Sequence, residues 1–243
     1  MNKILKRILI IVGIIVGVLV LAYAAMMLKF IYEMRDFAVM ETGKVVDKIF
    51  VVKDDFSNIF VVKKGKKYIV IDAGNNPKTT AKQLNIFGIN PSDVSAVFLT
   101  HTDSDHVGAL SLFDSAKVYL SKEEARMLNG ERTRFFGMTN SISRDDYILL
   151  EDRQVVKFGK FKVEGILVPG HTIGMMAYLV DDKYLFTGDI LSLKDGKIAP
   201  IPAFFDMDHE QAVKSMEIIR DIPAEYIISG HWGFADYKTA VRR

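Results

Sequence analysis

The stretch LTHTDSDHVG, residues 99–108, places two histidines and three polar capping residues, Asp103, Ser104 and Asp105, within six positions. Read locally, Thr102-Asp103-Ser104-Asp105 is a helix start, because short polar side chains accept hydrogen bonds from the first free N–H groups of a helix. Read chemically, His101, Asp103, Asp105 and His106 offer nitrogen and oxygen donors for a cation. The residues before it, SAVFL, are an apolar run with β-branched and aromatic members, so the motif sits where a strand runs out into a loop.

The same placement recurs downstream. His171 follows GILVP-Gly, Asp189 ends KYLFTG, and His231 follows YIISG. Four of the five histidines therefore stand at strand ends, where a rigid sheet holds functional loops. Each piece taken singly has an ordinary reading as a turn or a cap. Taken together, the set requires nearly every histidine and three aspartates to fall there by accident. The chain has no cysteine, so thiolate ligands and disulfides are excluded and any metal is held by His, Asp or Glu.

The 243 residues carry 32 bases and 30 acids. Residues 1–35 hold five bases (Lys3, Lys6, Arg7, Lys29, Arg35) and one acid (Glu33), which leaves 27 bases and 29 acids for the rest, a net −2. Nucleic acid is therefore not an expected partner, a local basic patch aside. Residues 8–28 contain no charge and are long enough to cross a hydrocarbon core as a helix. The basic flank at 1–7 puts the N-terminus in the cytoplasm and the remainder outside, in a single-pass arrangement at the cell membrane. The rival is a signal peptide cut near Ala22-Tyr23-Ala24, giving a secreted protein; the apolar run continues past that point through Leu28, which favours an uncleaved anchor. The expected organisation is a basic flank 1–7, an anchor 8–28, a linker 29–43 and one domain over 44–243.

Within that domain, KVVDKIFVV, NIFVVKKG, KKYIVIDAG, SAVFLTH and KVYL read as strands. QVVKFGKFKVEGILVPGHT and MMAYLVDDKYLFTGDIL read as strand pairs turning at Gly159 and Asp181-Asp182. TTAKQLNIFG, HVGALSLF and DHEQAVKSMEIIRDI read as helices, and SKEEARMLNG as another, with Ser121 as N-cap and Glu124 completing a capping box. EYIISGHW is the expected final strand. Hairpins followed by helices argue for a layered α/β domain.

The motif series IDAG (71–74), THTDSDHVG (100–108), PGHTIGMMAYLV (169–180), LFTGDIL (185–191) and ISGHWG (228–233), in this order, resembles the metallo-β-lactamase superfamily over residues 44–235. The resemblance implies an αββα four-layer sandwich with a metal site at the sheet edge. Carried over by position, one metal takes His101, Asp103 and His171, and the second takes Asp105, His106 and His231. Asp189 bridges them, Asp72 buttresses the site, and Asp105 also serves catalysis. The cofactors implied are two divalent ions, zinc first, with manganese or iron as alternatives. The implied activity is hydrolysis of an ester, thioester, lactone or phosphodiester by a hydroxide drawn from water at the metals. The rival readings are a non-catalytic binding or sensing module on the same fold and a redox di-iron protein. β-Lactamase activity is disfavoured, because the resemblance puts Cys or Ser at the Asp189 position in those enzymes.

Asp103 departs from the family pattern, where histidine is usual. Counting Asp103, Asp105, Asp189 and a hydroxide gives −4 against +4 from two divalent ions; the histidine version is +1. On that count Asp103 weakens the Lewis acidity of the site and favours harder ions. Candidate substrate contacts are His209, read first as a partly exposed residue in the first turn of a helix capped by Asp206 or Asp208, and Arg132, Arg134, Phe135 and Phe136 in the segment 121–147. The expected partner is a small ester-type molecule.

Overall fold

Residues alternating between two apolar faces build the sheets. In β3 (Ser57–Lys64), Phe60 and Val62 face one core and Ile59 and Val61 the other, as a period of two requires. The computed structural model describes residues 2–35, 37–134 and 137–242. They divide into two compact units, 1–37 and 38–243.

The first unit is helix α1 (Lys3–Met34), capped by the Asn2 side chain, which accepts from the Ile4 N–H. None of its residues is buried. Its 32 residues rise about 48 Å at 1.5 Å per residue, more than a hydrocarbon core of about 30 Å. The helix continues to Met34, six residues into the expected linker, because MMLKFIYEM contains no helix breaker.

In the second unit, β1 (Gly43–Val46), β2 (Ile49–Asp54), β3, β4 (Lys67–Ile71), β5 (Val94–Phe98), β6 (Lys117–Ser121) and β7 (Tyr147–Leu150) lie side by side in chain order. The junctions up to β4 are antiparallel hairpins and those beyond it are parallel. The second sheet runs in the order β15 (Phe234–Asp236), β14 (Tyr226–Ile228), β11 (Tyr184–Phe186), β10 (Met176–Val180), β9 (Phe161–Leu167), β8 (Val155–Phe158). A small hairpin, β12 (Ser192–Lys194) with β13 (Lys197–Ala199), stands apart.

Three cores follow from this arrangement. Phe60, Phe98, Tyr119, Tyr178 and Phe186 pack between the sheets, with the Phe98 and Tyr119 rings stacked at 4.7 Å. Leu84 of α2 (Pro77–Ile86), Val107 of α3 (Ser104–Val107) and Leu128 of α4 (Ala125–Leu128) pack over the outer face of the first sheet. Met216 and Ile219 of α5 (His209–Arg220) and Tyr237 of α6 (Tyr237–Ala240) cover the second. The expected four-layer αββα sandwich is therefore the observed one. Each fully buried Phe or Leu contributes about 1.5–3 kcal/mol.

Several local expectations differ. EYIISGHW is not the last strand, since β15 pairs back onto β14 and α6 follows. HVGALSLF is one α turn followed by a 3₁₀ turn, the backbone leaving the helical region at Ala109 (φ −98°, ψ 14°). In SKEEARMLNG the helix shrinks to α4. Ser121 does accept from the Glu124 N–H, but the Glu124 carboxylate turns inward instead of closing a capping box.

Candidate metal centre

Strands β4 and β5 are parallel, and so are β9, β11 and β14 in direction, as the antiparallel steps through β10 require. The C-terminal ends of all five meet at one edge of the sandwich. Those ends carry Asp72, His101, His171, Asp189 and His231, and Asp103, Asp105 and His106 follow His101 on the loop into α3. Bonds between the sheets tie this edge together, among them Tyr178 Oη donating to Leu99 O at 2.8 Å and Met176 N–H to Thr100 O at 2.8 Å.

The seven candidate ligands converge. The donor atoms of His101, Asp103 and His171 lie within 4.8 Å of one another, as do those of Asp105, His106 and His231. Asp189 stands between the two groups. Its Oδ2 is 2.9 Å from His231 Nε2, 3.5 Å from His106 Nε2 and 3.9 Å from His171 Nε2. The histidines are buried, and His101 Nε2 and Asp189 Oδ1 have no hydrogen-bond partner among the described residues. Buried polar atoms normally find a partner. Buried imidazoles and carboxylates whose donor atoms crowd one point, some of them unpartnered, are what a divalent cation requires.

Backbone close approach explains two glycines of the motifs. A Cβ on Gly230 would lie 2.5 Å from Asp189 Oδ1 and 3.1 Å from His106 Cε1, inside the ligand cluster. Gly170, at φ +142°, brings the turn before His171 against Ala212 Cα, which a Cβ would meet at 2.3 Å.

Three of the four ligand histidines are held by a hydrogen bond at the second nitrogen. His106 Nδ1 is 2.9 Å from Asp72 Oδ2, and Asp72 also accepts from Thr100 N–H and Oγ1. Asp72 adopts φ +59°, directly after β4. His101 Nδ1 is 3.0 Å from Thr100 Oγ1, and His231 Nδ1 donates to Phe56 O at 2.6 Å. His171 Nδ1 faces Asp206 Oδ1 at 3.4 Å.

Burial and the neighbouring His106 hold the His101 imidazole well below its ordinary range, so it is neutral and its lone pair is available. Burial opposes charge on His106 and His231 as well. There the carboxylates of Asp189 and Asp105 win, His106 is held well above its ordinary value, and His231 is pushed up to about 10. Asp105 and Asp189 remain ionised far below the carboxylate range; burial is outweighed by the His106 and His231 charges.

Asp103 stands at the N-cap position of α3, yet its side chain makes no capping bond. It turns into the cluster, with Oδ2 3.5 Å from His171 Nε2 and 3.7 Å from His101 Nε2. Arg134 forks onto it, Nε to Oδ1 at 3.0 Å and Nη2 to Oδ2. Asn140 Nδ2 adds a bond to Oδ1 at 3.0 Å. The Arg134 guanidinium brings a further positive charge to the first ligand group. Adding its +1 to −4 and +4 returns +1, the value of the histidine version, so the expected loss of Lewis acidity is offset.

The sequence left two supporting residues unrecognised. Glu124 is fully buried; its Oε1 accepts from Thr102 N–H and Oγ1, and its Oε2 from Thr172 Oγ1 and Gly174 N–H. It ties the His101 loop to the His171 loop, and burial pushes its carboxyl up. Asp206 links His171 to His209, whose Nδ1 lies 2.6 Å from Asp206 Oδ2. Asp208 rather than Asp206 caps α5, accepting from Gln211 N–H. Among the described residues, His209 approaches the ligand His171 by way of Asp206. Arg132 is exposed, and the wall of the adjoining cavity is built with Arg134. Phe135 and Phe136 lie outside the described residues.

Residues 52–231 match the family model of the metallo-beta-lactamase superfamily. A probable metallo-hydrolase of Methanocaldococcus jannaschii is 28% identical over 152 residues, 63% of this chain and 64% of that protein. A hydroxyacylglutathione hydrolase of Dictyostelium discoideum is 30% identical over 155 residues, 60% of this chain and 51% of that protein. The chain thus spans about half to two-thirds of the length of these relatives. Among solved structures, a metallo-beta-lactamase family protein from Thermus thermophilus superposes with a TM-score of 0.65 at 17% identity, covering 81% of this chain and 77% of that one.

Proposed function

The chain belongs to the metallo-beta-lactamase superfamily, and from that premise we propose that it is a hydrolase working with two divalent cations, zinc first, on a small ester, thioester, lactone or phosphodiester. The position of Asp189 carries this reading: one buried carboxylate oxygen lies within 4 Å of histidines from both ligand groups. A single-cation site has no need of that arrangement.

When bound, such a pair of cations lowers the pKa of water toward neutrality and polarises the substrate oxygen. The chain supplies the rest. Asp105, ionised and with Oδ2 3.2 Å from His231 Nε2, would orient the attacking water, take a proton from it as the new bond forms, and give that proton to the leaving group. The buried histidines keep bulk water from the donor cluster. A cavity of about 350 Å³, lined by Asp103, Asp105, Arg134, Met138 and Asn140 among others, opens beside Asp103 and Asp105 and suits a small molecule. The relative named hydroxyacylglutathione hydrolase makes acyl thioesters the first class to try.

The test is hydrolysis by the full chain in detergent, with thioester, ester, lactone, phosphodiester and β-lactam substrates. Turnover is expected on one of the first four classes. It should fall at least ~100-fold on chelation and return with zinc. Failure on every class, with metal bound, returns the chain to the rival reading of a binding module on this fold.

We further infer that α1 anchors the chain in the membrane uncleaved, with the N-terminus cytoplasmic and the hydrolase unit outside; the charge-free run 8–28 and the basic residues before it support this. Protease added to intact cells is expected to degrade the hydrolase unit and to leave an N-terminal reporter whole. Protection of the hydrolase unit would reverse the orientation, and a mature protein lacking residues 1–24 would replace the anchor by a signal peptide.

A further inference from the structure

One guanidinium occupies two of the three donors at the first metal position. Arg134 is almost fully buried. Its Nη1 is pinned by the carbonyl oxygens of His171 at 2.7 Å and Phe205 at 3.2 Å, and its Nε and Nη2 fork onto Asp103. Nη2 also lies 3.2 Å from His171 Nε2, the ring nitrogen that faces Asp103 and Asp189. The second position differs. There Asp105 Oδ2 and His106 Nε2 are 3.4 Å apart, and their near neighbours are His231 and Asp189.

We propose that Arg134 competes with the cation at the first position, so that the two positions fill in order. The Asp105–His106–His231 position fills first. The His101–Asp103–His171 position fills only when Nη2 has given up His171 Nε2. This inference rests on the two-cation reading above. Its physical basis is charge and geometry. A guanidinium does not deprotonate in a protein, so it cannot yield its place by losing charge. Its planar fork matches the Asp103 carboxylate with two hydrogen bonds, and the two backbone carbonyls fix the plane. A divalent ion arriving between Asp103 and His171 meets that positive charge a few ångströms away in a site with little water to screen it. Asp103 is consequently both a ligand and the counter-ion of Arg134. That double role distinguishes it from a histidine at the same place, which has no charge to share.

The full chain in detergent, stripped with chelator, is titrated with zinc by calorimetry, with the bound metal counted by elemental analysis. In the wild type, one zinc is expected to bind at least tenfold more tightly than the second. In Arg134→Gln and Arg134→Met, the weaker event should tighten at least tenfold while the stronger stays within threefold. A wild type that binds one zinc, with a second appearing in the variants, is the same result at its extreme. Two zincs of equal affinity in the wild type overturn the role of Arg134 and leave the two-cation reading standing; that measurement does not depend on either variant folding. Unequal wild-type affinities that the variants leave unchanged or widen overturn it as well, as does a single zinc in all three proteins. A chain that binds no zinc removes the two-cation reading itself and this inference with it.

Discussion

Asp189→Ala is expected to lower hydrolytic kcat/KM on the order of 10³-fold and to reduce bound metal by at least one equivalent per chain. Asp189 is 5% exposed, and its Oδ2 approaches His231, His106 and His171. Among the described residues, the Asp103 and Asp105 carboxylates each approach histidines of one ligand group, whereas a single oxygen of Asp189 approaches both. Alanine removes a negative charge and a donor from both positions in one change. The loss of several kcal/mol of charge stabilisation at the substrate oxygen converts to the stated factor. Asp189→Asn separates the two contributions. It keeps the shape beside Gly230, where the carboxylate is packed, and loses only the charge. Its metal count should fall less than that of the alanine variant, while turnover stays low. Two equivalents of metal and activity within tenfold of wild type in Asp189→Ala would refute the bridging role.

The difference between what the sequence revealed and what it concealed follows from the range of the interactions. His101, His171, Asp189 and His231 were readable because each follows a recognisable apolar strand, and a strand end is a local property. A layered α/β domain was readable because hairpins and helices alternate in a regular order, whereas the four-layer sandwich came from the resemblance that the motif series carries. Arg134, Glu124 and Asp206 were not assigned their roles, because each acts across the fold. Arg134 and Asp103 are 31 residues apart, and Glu124 and Thr172 are 48 apart. Nothing near Glu124 in the chain distinguishes a capping glutamate from one that turns inward to collect four hydrogen bonds. Similarly, Asp206 and Asp208 are equivalent as candidate caps until the turn before α5 directs one toward His171 and the other toward Gln211. The short strands β12, β13 and β15 carry three residues each and lack the continuous apolar run that marks the equally short β11 and β14.

The metal-free and metal-loaded proteins should respond to pH in opposite directions. Without metal, burial opposes charge on His231, but Asp189 and Asp105 overcome it and raise the imidazole from an ordinary 6.5 to about 10; His106 is raised for the same reason. A histidine whose folded pKa lies above its unfolded value contributes stability that is complete below about 6.5 and is lost as pH rises through the folded value. The Asp105 and Asp189 carboxylates are shifted down, so their contribution is present above about 4 and is lost in acid. His101, held neutral by burial, acts the other way and costs stability as pH falls below about 6.5, so the metal-free chain is most stable near pH 6.5, and its melting temperature should fall by roughly 5–10 °C from pH 6.5 to 9.5. Binding of a cation requires deprotonated imidazoles and releases their protons, so affinity grows as pH rises. With saturating zinc, the melting temperature should hold or climb over the same range, and the gap between the two forms should widen. Thermal melts of the full chain in detergent, with chelator or with zinc at pH 5.5 to 9.5, decide the matter. A metal-free melting temperature that is flat or rises above pH 6.5 would show that His106 and His231 are not held as imidazolium ions by Asp105 and Asp189.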